Sequence, residues 1–170
     1  MNALPRRDDD RELADALRLA MRRMAASVCV ITTRDEAGRG WAMTATAVTS
    51  LSMDPPTMLA CINHRSMVLA PIRGGAPFCI NVLEAGQRAI AEQCSRAELK
   101  TEGFLDRAPW VRGAFELPYL PEAQAAIFCQ TERTIAHSTH DIVIGRVAAV
   151  QRHGEVAPLV YLDSRYIEGV

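Results

Sequence analysis

Met43-Thr-Ala-Thr-Ala-Val-Thr-Ser-Leu-Ser-Met-Asp-Pro-Pro56 decides the reading of this chain. Threonine, serine and alanine crowd residues 43–52, and the double proline that follows removes two backbone donors and ends any regular element. Side chains this short let a flat molecule lie close to the backbone, where N–H groups and hydroxyls can bond its polar rim or a phosphate. The same residues also suit a threonine-rich edge strand, because threonine favours the pleated sheet whatever it binds.

Upstream, Ser27-Val-Cys-Val-Ile-Thr-Thr33 is rich in β-branched residues and predicts a strand, with a turn over 35–40. Downstream, 57–63 is a short, nearly continuous apolar run, the pattern of a buried strand. A short helix is expected over 66–73, kinked or shortened by Pro71 and ended by Gly74-Gly75. A strand over 77–83 and a helix over 85–94 follow, then a polar, irregular stretch over 96–116. Strands are expected at 123–133, at 135–150 with a break near Ser138, and at 158–167. Near the start, Leu13, Leu17, Ala20, Met21 and Met24 recur at three- and four-residue steps. That stripe predicts an amphipathic helix over 11–25, with an aspartate run favouring its N-terminus. Strands outnumber helices and do not alternate with them, so the expected fold is mainly β: an antiparallel β-barrel with flanking helices rather than a doubly wound sheet.

The chain has 170 residues, 49% of them hydrophobic and 23% charged, which suits one folded domain over 11–170 behind a disordered lead-in over 1–10. Its formal net charge of -1 gives no basic excess, so neither nucleic acid nor an anionic membrane is an expected partner. No run reaches transmembrane length and the first ten residues lack an apolar core, which predicts a cytoplasmic location. The five cysteines form no C-x-x-C pair and read as free thiols packed as small hydrophobes.

No phosphate-binding G-x-x-x-x-G-K-[ST], no G-x-G-x-x-G after a strand, no H-E-x-x-H and no G-x-S-x-G occurs. Four histidines without a matching set of ligands predict no metal. Three smaller features stand beside the 43–52 stretch. Asn63-His-Arg-Ser66 follows a buried strand and precedes a helix; it reads either as an anion site or as an ordinary N-cap at Ser66 beside a solvated Arg65. His137-Ser-Thr-His-Asp141 heads an apolar run, where a histidine can touch a ligand or carry a proton, or simply occupy a solvated turn. Arg165-Tyr166 offers an aromatic that can wall a ring site or pack.

Taken in order, Met21-Arg-Arg-Met-Ala25, Val28-Cys-Val-Ile-Thr-Thr33, Met43-Thr-Ala-Thr46, Ser50-Leu-Ser-Met-Asp-Pro-Pro56, Phe78-Cys-Ile-Asn-Val-Leu83, His140-Asp-Ile-Val-Ile-Gly-Arg-Val147 and Pro158-Leu-Val-Tyr161 resemble the short-chain flavin reductase family. The best-known members are reductase components of two-component flavin-dependent monooxygenases. The resemblance spans residues 18–167 and implies an FMN-binding split β-barrel that forms a homodimer, with flavin in a groove near the subunit interface. It implies hydride transfer from NADH or NADPH to FMN, with FAD also possible. Thr44, Ala45, Thr46 and Ala47 would follow the isoalloxazine edge. Thr49, Ser50, Leu51 and Ser52 would lie near the ribityl chain and phosphate, and Asn63 and Ser66 would close the phosphate end. Asn81 falls in the strand motif near the flavin, His140 matches the nicotinamide-side catalytic histidine, and Tyr166 the C-terminal aromatic. A partner monooxygenase would consume the reduced flavin. The alternatives are a flavoprotein with tightly bound FMN that reduces a corrinoid, ferric complex or quinone, and a non-catalytic flavin-binding protein. Family members often carry Gly-Asp before the histidine, where this chain has Ser138-Thr139. Loss of that glycine removes easy access to positive φ, so the loop and the choice between NADH and NADPH stay open.

Overall fold

A computed structural model describes residues 8–96 and 103–167. In chain order the elements are α1 (Asp8–Met21), β1 (Ala26–Ser27), β2 (Cys29–Arg34), β3 (Gly40–Ala45), β4 (Val48–Met53), β5 (Pro56–Asn63), α2 (Leu69–Arg73), β6 (Phe78–Val82), α3 (Arg88–Ser95), β7 (Val111–Arg112), β8 (Pro118–Tyr119), β9 (Ala125–His137), β10 (His140–Arg152), β11 (Val160–Leu162) and β12 (Arg165–Ile167). Seven strands make one antiparallel sheet in the order β3-β2-β6-β9-β10-β5-β4. Its two edges, β3 and β4, are neighbours in the chain, joined only by Thr46 and Ala47. The sheet therefore curls until its edges meet, and a barrel results with an unpaired seam between β3 and β4. The expected mainly β barrel with flanking helices is what the chain builds.

The barrel interior is filled by Ile31, Ile62, Phe78, Ile80 and Val143, with Leu69 and Ile72 of α2 plugging one end. α3 covers the outer face of β2 and β3, where Val28, Val30 and Ala42 meet Ala91 and Cys94. Because β2 is covered on both sides, five of its six residues are buried, and its sequence reads as a continuous run rather than an alternation. Glu84 and Gln87 exchange bonds in a capping box that starts the turn leading into α3.

Several boundaries differ from the expectations. α1 begins at Asp8, not at residue 11, and stops at Met21; residues 1–7 of the expected lead-in lie outside the described residues. Its apolar stripe is not buried by the chain itself: Leu13 is 69% exposed and Leu17 60%. Pro71 falls in the first turn of α2, where a missing N–H removes no helical bond, and the helix is only five residues long. The irregular stretch contains β7, which pairs with β8 just beyond it, and residues 97–102 within it lie outside the described residues. The strand expected over 158–167 is a hairpin, β11–β12, because Asp163 and Ser164 both adopt positive φ and turn the chain. Ser138 likewise reaches φ 51°, so β9 and β10 join through Ser138-Thr139 alone despite the absent glycine.

Gly145 shows how tightly the barrel closes. A Cβ there would sit 2.7 Å from Cε1 of Phe78 and 2.8 Å from Cβ of Cys129, neither of which can withdraw within the packed sheet. Gly145→Ala should lower stability by about 1–3 kcal/mol, read as a lower urea midpoint with an unchanged slope.

Candidate functional site

Thr46 and Ala47 interrupt what would otherwise be one strand from 40 to 53. The carbonyl of Ala47 accepts a bond from the Cys61 N–H at 2.9 Å, which docks the link onto β5. Among the described residues neither Thr46 nor Ala47 donates its own N–H to another main-chain group, and the Thr46 hydroxyl has no protein partner. Both residues are exposed. The seam thus presents unspent donors on a lip with almost no side-chain bulk.

This lip borders a groove of about 1420 Å³ between α1 and the outer face of β4 and β5. Leu59 and Cys61 of β5 lie along it beside Thr49, and β11 contributes Tyr161. Thr139 and His140 line it as well. The groove is open to solvent along its length, and its volume is ample for a flat ring system to lie against β5. The groove lining is mostly apolar with donors at the lip, which suits a flat aromatic group whose polar rim faces backbone N–H groups.

His140 is held at both ring nitrogens. Nδ1 lies 2.9 Å from the Thr139 hydroxyl and Nε2 3.4 Å from Nδ2 of Asn63. Asn63 pairs with His140 across β5 and β10, and its Oδ1 accepts the Arg65 N–H at 2.9 Å. Asn63 is therefore placed to orient the histidine.

Of the residues singled out from sequence, Thr46, Ala47, Thr49 and His140 line one groove. Others are placed elsewhere. The Thr44 hydroxyl donates to the Ala91 carbonyl at 2.6 Å, fastening β3 to α3, and the Ala45 side chain lies in the barrel core. Ser66 donates to Sδ of Met43, so its hydroxyl is turned toward the barrel. Asn81 is fully buried: Nδ2 donates to the Val30 carbonyl and Oδ1 accepts the Leu120 N–H, so the amide joins β2 to the 120 segment and does not line the groove. Ser50 and Ser52 flank a bulge at Leu51; the Ser52 hydroxyl is bonded within the turn at Asp54, and none of the three lines the groove. Tyr166 packs edge-on against Tyr161 at 5.3 Å, with Arg88 over its ring, and Tyr161 is the aromatic that reaches the groove. Cys61 was marked only by its place two residues before Asn63, and Tyr161, which ends the Pro158–Tyr161 motif, was not singled out as a groove residue.

All five cysteines are free, as expected. Burial pushes the thiols of Cys29 and Cys129 up to about 12, which keeps them protonated core groups. Asp141, next to His140, is 2% exposed. Hydrogen bonds from Arg73 hold its carboxyl down at about 2, against burial, with a smaller contribution from His64. Because the folded value lies below the unfolded one, the unfolded chain takes the proton first as acid is added. The stabilisation from this carboxylate should be complete above the usual carboxyl value near pH 4 and drain away as pH falls through about 2. Circular dichroism across that window should show a flatter acid-unfolding profile for Asp141→Asn than for the parent.

Residues 21–169 match the model of the flavin reductase-like domain. The FMN reductase (NADH) RutF of Cronobacter sakazakii is 34% identical over 151 residues, covering 89% of this chain and 90% of the relative. The reductase component of an FADH(2)-dependent resorcinol hydroxylase from a Rhizobium species is 36% identical, covering 88% of this chain and 83% of the relative. The crystal structure of BorF, the flavin reductase component of a bacterial two-component tryptophan halogenase, superposes with a TM-score of 0.84 at 28% identity, covering 91% of this chain and 97% of that one. With a family match over nearly its whole length, and with the barrel and the seam-side groove in place, this chain belongs to the flavin reductase-like family.

Proposed function

We propose that this chain is an NAD(P)H-dependent flavin reductase that acts on FMN or FAD and supplies reduced flavin to a partner monooxygenase. The observation that carries the reading is one groove bordered by the Thr46–Ala47 lip and by His140, in a chain whose relatives are an NADH-dependent FMN reductase and a hydroxylase reductase component. A bound flavin supplies a ring that accepts hydride at N5 from the nicotinamide C4. The work of the chain is binding and orientation. Thr46, Ala47 and Thr49 allow a flat ring to lie against the backbone, and the free N–H groups at 46 and 47 are fixed dipoles that favour negative charge on whatever rests there. A groove that brought the two rings together would remove much of the entropic barrier to their reaction. His140 orients the nicotinamide on its side.

A homodimer completes this reading. Leu13, Leu17 and Met21 form an apolar stripe on α1 that the chain leaves exposed beside the groove, and a second copy would cover it. Among the described residues no helix is long and apolar enough to cross a membrane, and a cytoplasmic enzyme with a diffusible product suits a partner oxygenase.

Steady-state NADH and NADPH oxidation with FMN, FAD or no added flavin tests the assignment. Activity that requires added flavin identifies flavin as substrate, whereas a yellow protein active only toward another acceptor would make it a resident cofactor. Thr46→Trp combined with Thr49→Trp fills the groove from two exposed positions. The double variant should keep its fold and lose about tenfold or more of flavin-dependent NADH oxidation. An undiminished rate would remove the groove from consideration.

A further inference from the structure

Asp141 is a buried ionisable group that hydride transfer does not call on. Its Oδ2 accepts Nε–H of Arg73 at 2.7 Å, and its Oδ1 accepts Nη2–H of Arg73 at 2.6 Å and lies 2.8 Å from Nε2 of His64. Arg73 is the last residue of α2, the barrel plug, and His64 is the first residue after β5. Successive side chains on a strand point to opposite faces, so Asp141 faces the plugged barrel while His140 faces the groove. One carboxylate thus ties the plug helix and the 63–66 turn to the strand position adjacent to the site histidine.

The turn reaches His140 by two further bonds. The His64 N–H donates to the Thr139 carbonyl at 2.9 Å, and Nδ2 of Asn63 approaches Nε2 of His140. An amide NH₂ only donates, so Nε2 meets it as an acceptor. In the neutral ring Nδ1 then carries the proton and donates it to the Thr139 hydroxyl. The contact at Nε2 is long, 3.4 Å, and is the one an incoming N–H donor can displace.

We propose that Asp141 is a positioning residue: through His64 and Arg73 it holds the 63–66 turn against β10, and so keeps His140 as the Nδ1–H tautomer with Nε2 presented as an acceptor to the carboxamide N–H of a nicotinamide. This rests on the reading of His140 as the nicotinamide-side residue. A salt bridge that merely stabilised the plug would leave the histidine unaffected once the protein is folded.

The test uses His64→Ala, which removes one arm of the clamp at a partly exposed side chain and leaves the Arg73–Asp141 pair intact, with Asp141→Asn as the stronger variant. In ¹⁵N-resolved spectra of the unliganded protein, the parent should show His140 protonated at Nδ1. His64→Ala should shift the ring toward a mixture with the Nε2–H form. KM for NADH should rise about tenfold while the dissociation constant for FMN, read by fluorescence quenching, stays within about twofold. An unchanged tautomer in both variants overturns the proposal, as does a loss of NADH and FMN affinity that merely tracks a fall in melting temperature. The spectroscopic arm needs neither flavin nor nicotinamide. A parent inactive toward NADH and FMN would therefore sink the reductase reading while the spectra still decide whether Asp141 sets the state of His140.

Discussion

Two residues must span the ends of a seven-stranded sheet. From Ala45 to Val48 the chain takes three Cα steps, at most about 11 Å. In a flat sheet the outer strands β3 and β4 would stand six spacings apart, about 29 Å. The link can close only if the sheet curls on itself, so the short connection forces a barrel. Once the sheet has curled, its inner face has to be filled, and Ile31, Phe78, Ile80 and Val143 fill it while α2 stops the end. Gly145 is glycine because Phe78 and Cys129 leave no room for more.

The same constraint creates the site. Edge strands carry unpaired backbone groups, which most proteins cover, charge or pair away. Here the two edges approach without pairing, and the link between them keeps free N–H groups at Thr46 and Ala47. The β5 strand supplies the groove floor because Leu59 and Cys61 point outward while Ala60 and Ile62 point into the barrel. Strand alternation thus serves packing on one side and binding on the other, and neither requires a long loop.

The sequence carried the fold through local chemistry. β2 read as a strand from its β-branched residues, β5 as a buried strand from its nearly continuous apolar run, Gly74-Gly75 ended a helix, and the hairpin at Ser138 lay where the apolar pattern broke. It carried the β11–β12 turn poorly, since Asp163-Ser164 adopts positive φ without the glycine that would have announced it. It carried the site in part. Thr46, Ala47 and Thr49 were legible as small or hydroxylic residues before a double proline, yet composition does not say which way a side chain points. Thr44 and Asn81 have the right chemistry for a ligand rim, and the fold spends that chemistry on α3 and on the 120 segment instead. Tyr161 ended a recognised motif, yet its place at the groove follows from a hairpin that the sequence did not declare.

His140 and Asp141 bring these threads together, because adjacent residues on one strand must face opposite ways. Asp141 is worth burying only if its charge is answered, and Arg73 and His64 answer it from two separate elements. Such a pair adds little stability over a well-packed apolar core, yet it tolerates only one arrangement of the elements that meet there. That geometry fixes the start of β10, the plug helix and the turn bearing Asn63 with respect to one another. The lip of the groove at the β3–β4 seam has no ladder, whereas its floor is held by β4, β5 and β10, with His140 paired to Asn63 and to His137. The ladders fix the backbone of His140, and the buried carboxylate behind the strand bonds the turn that lies beside its ring.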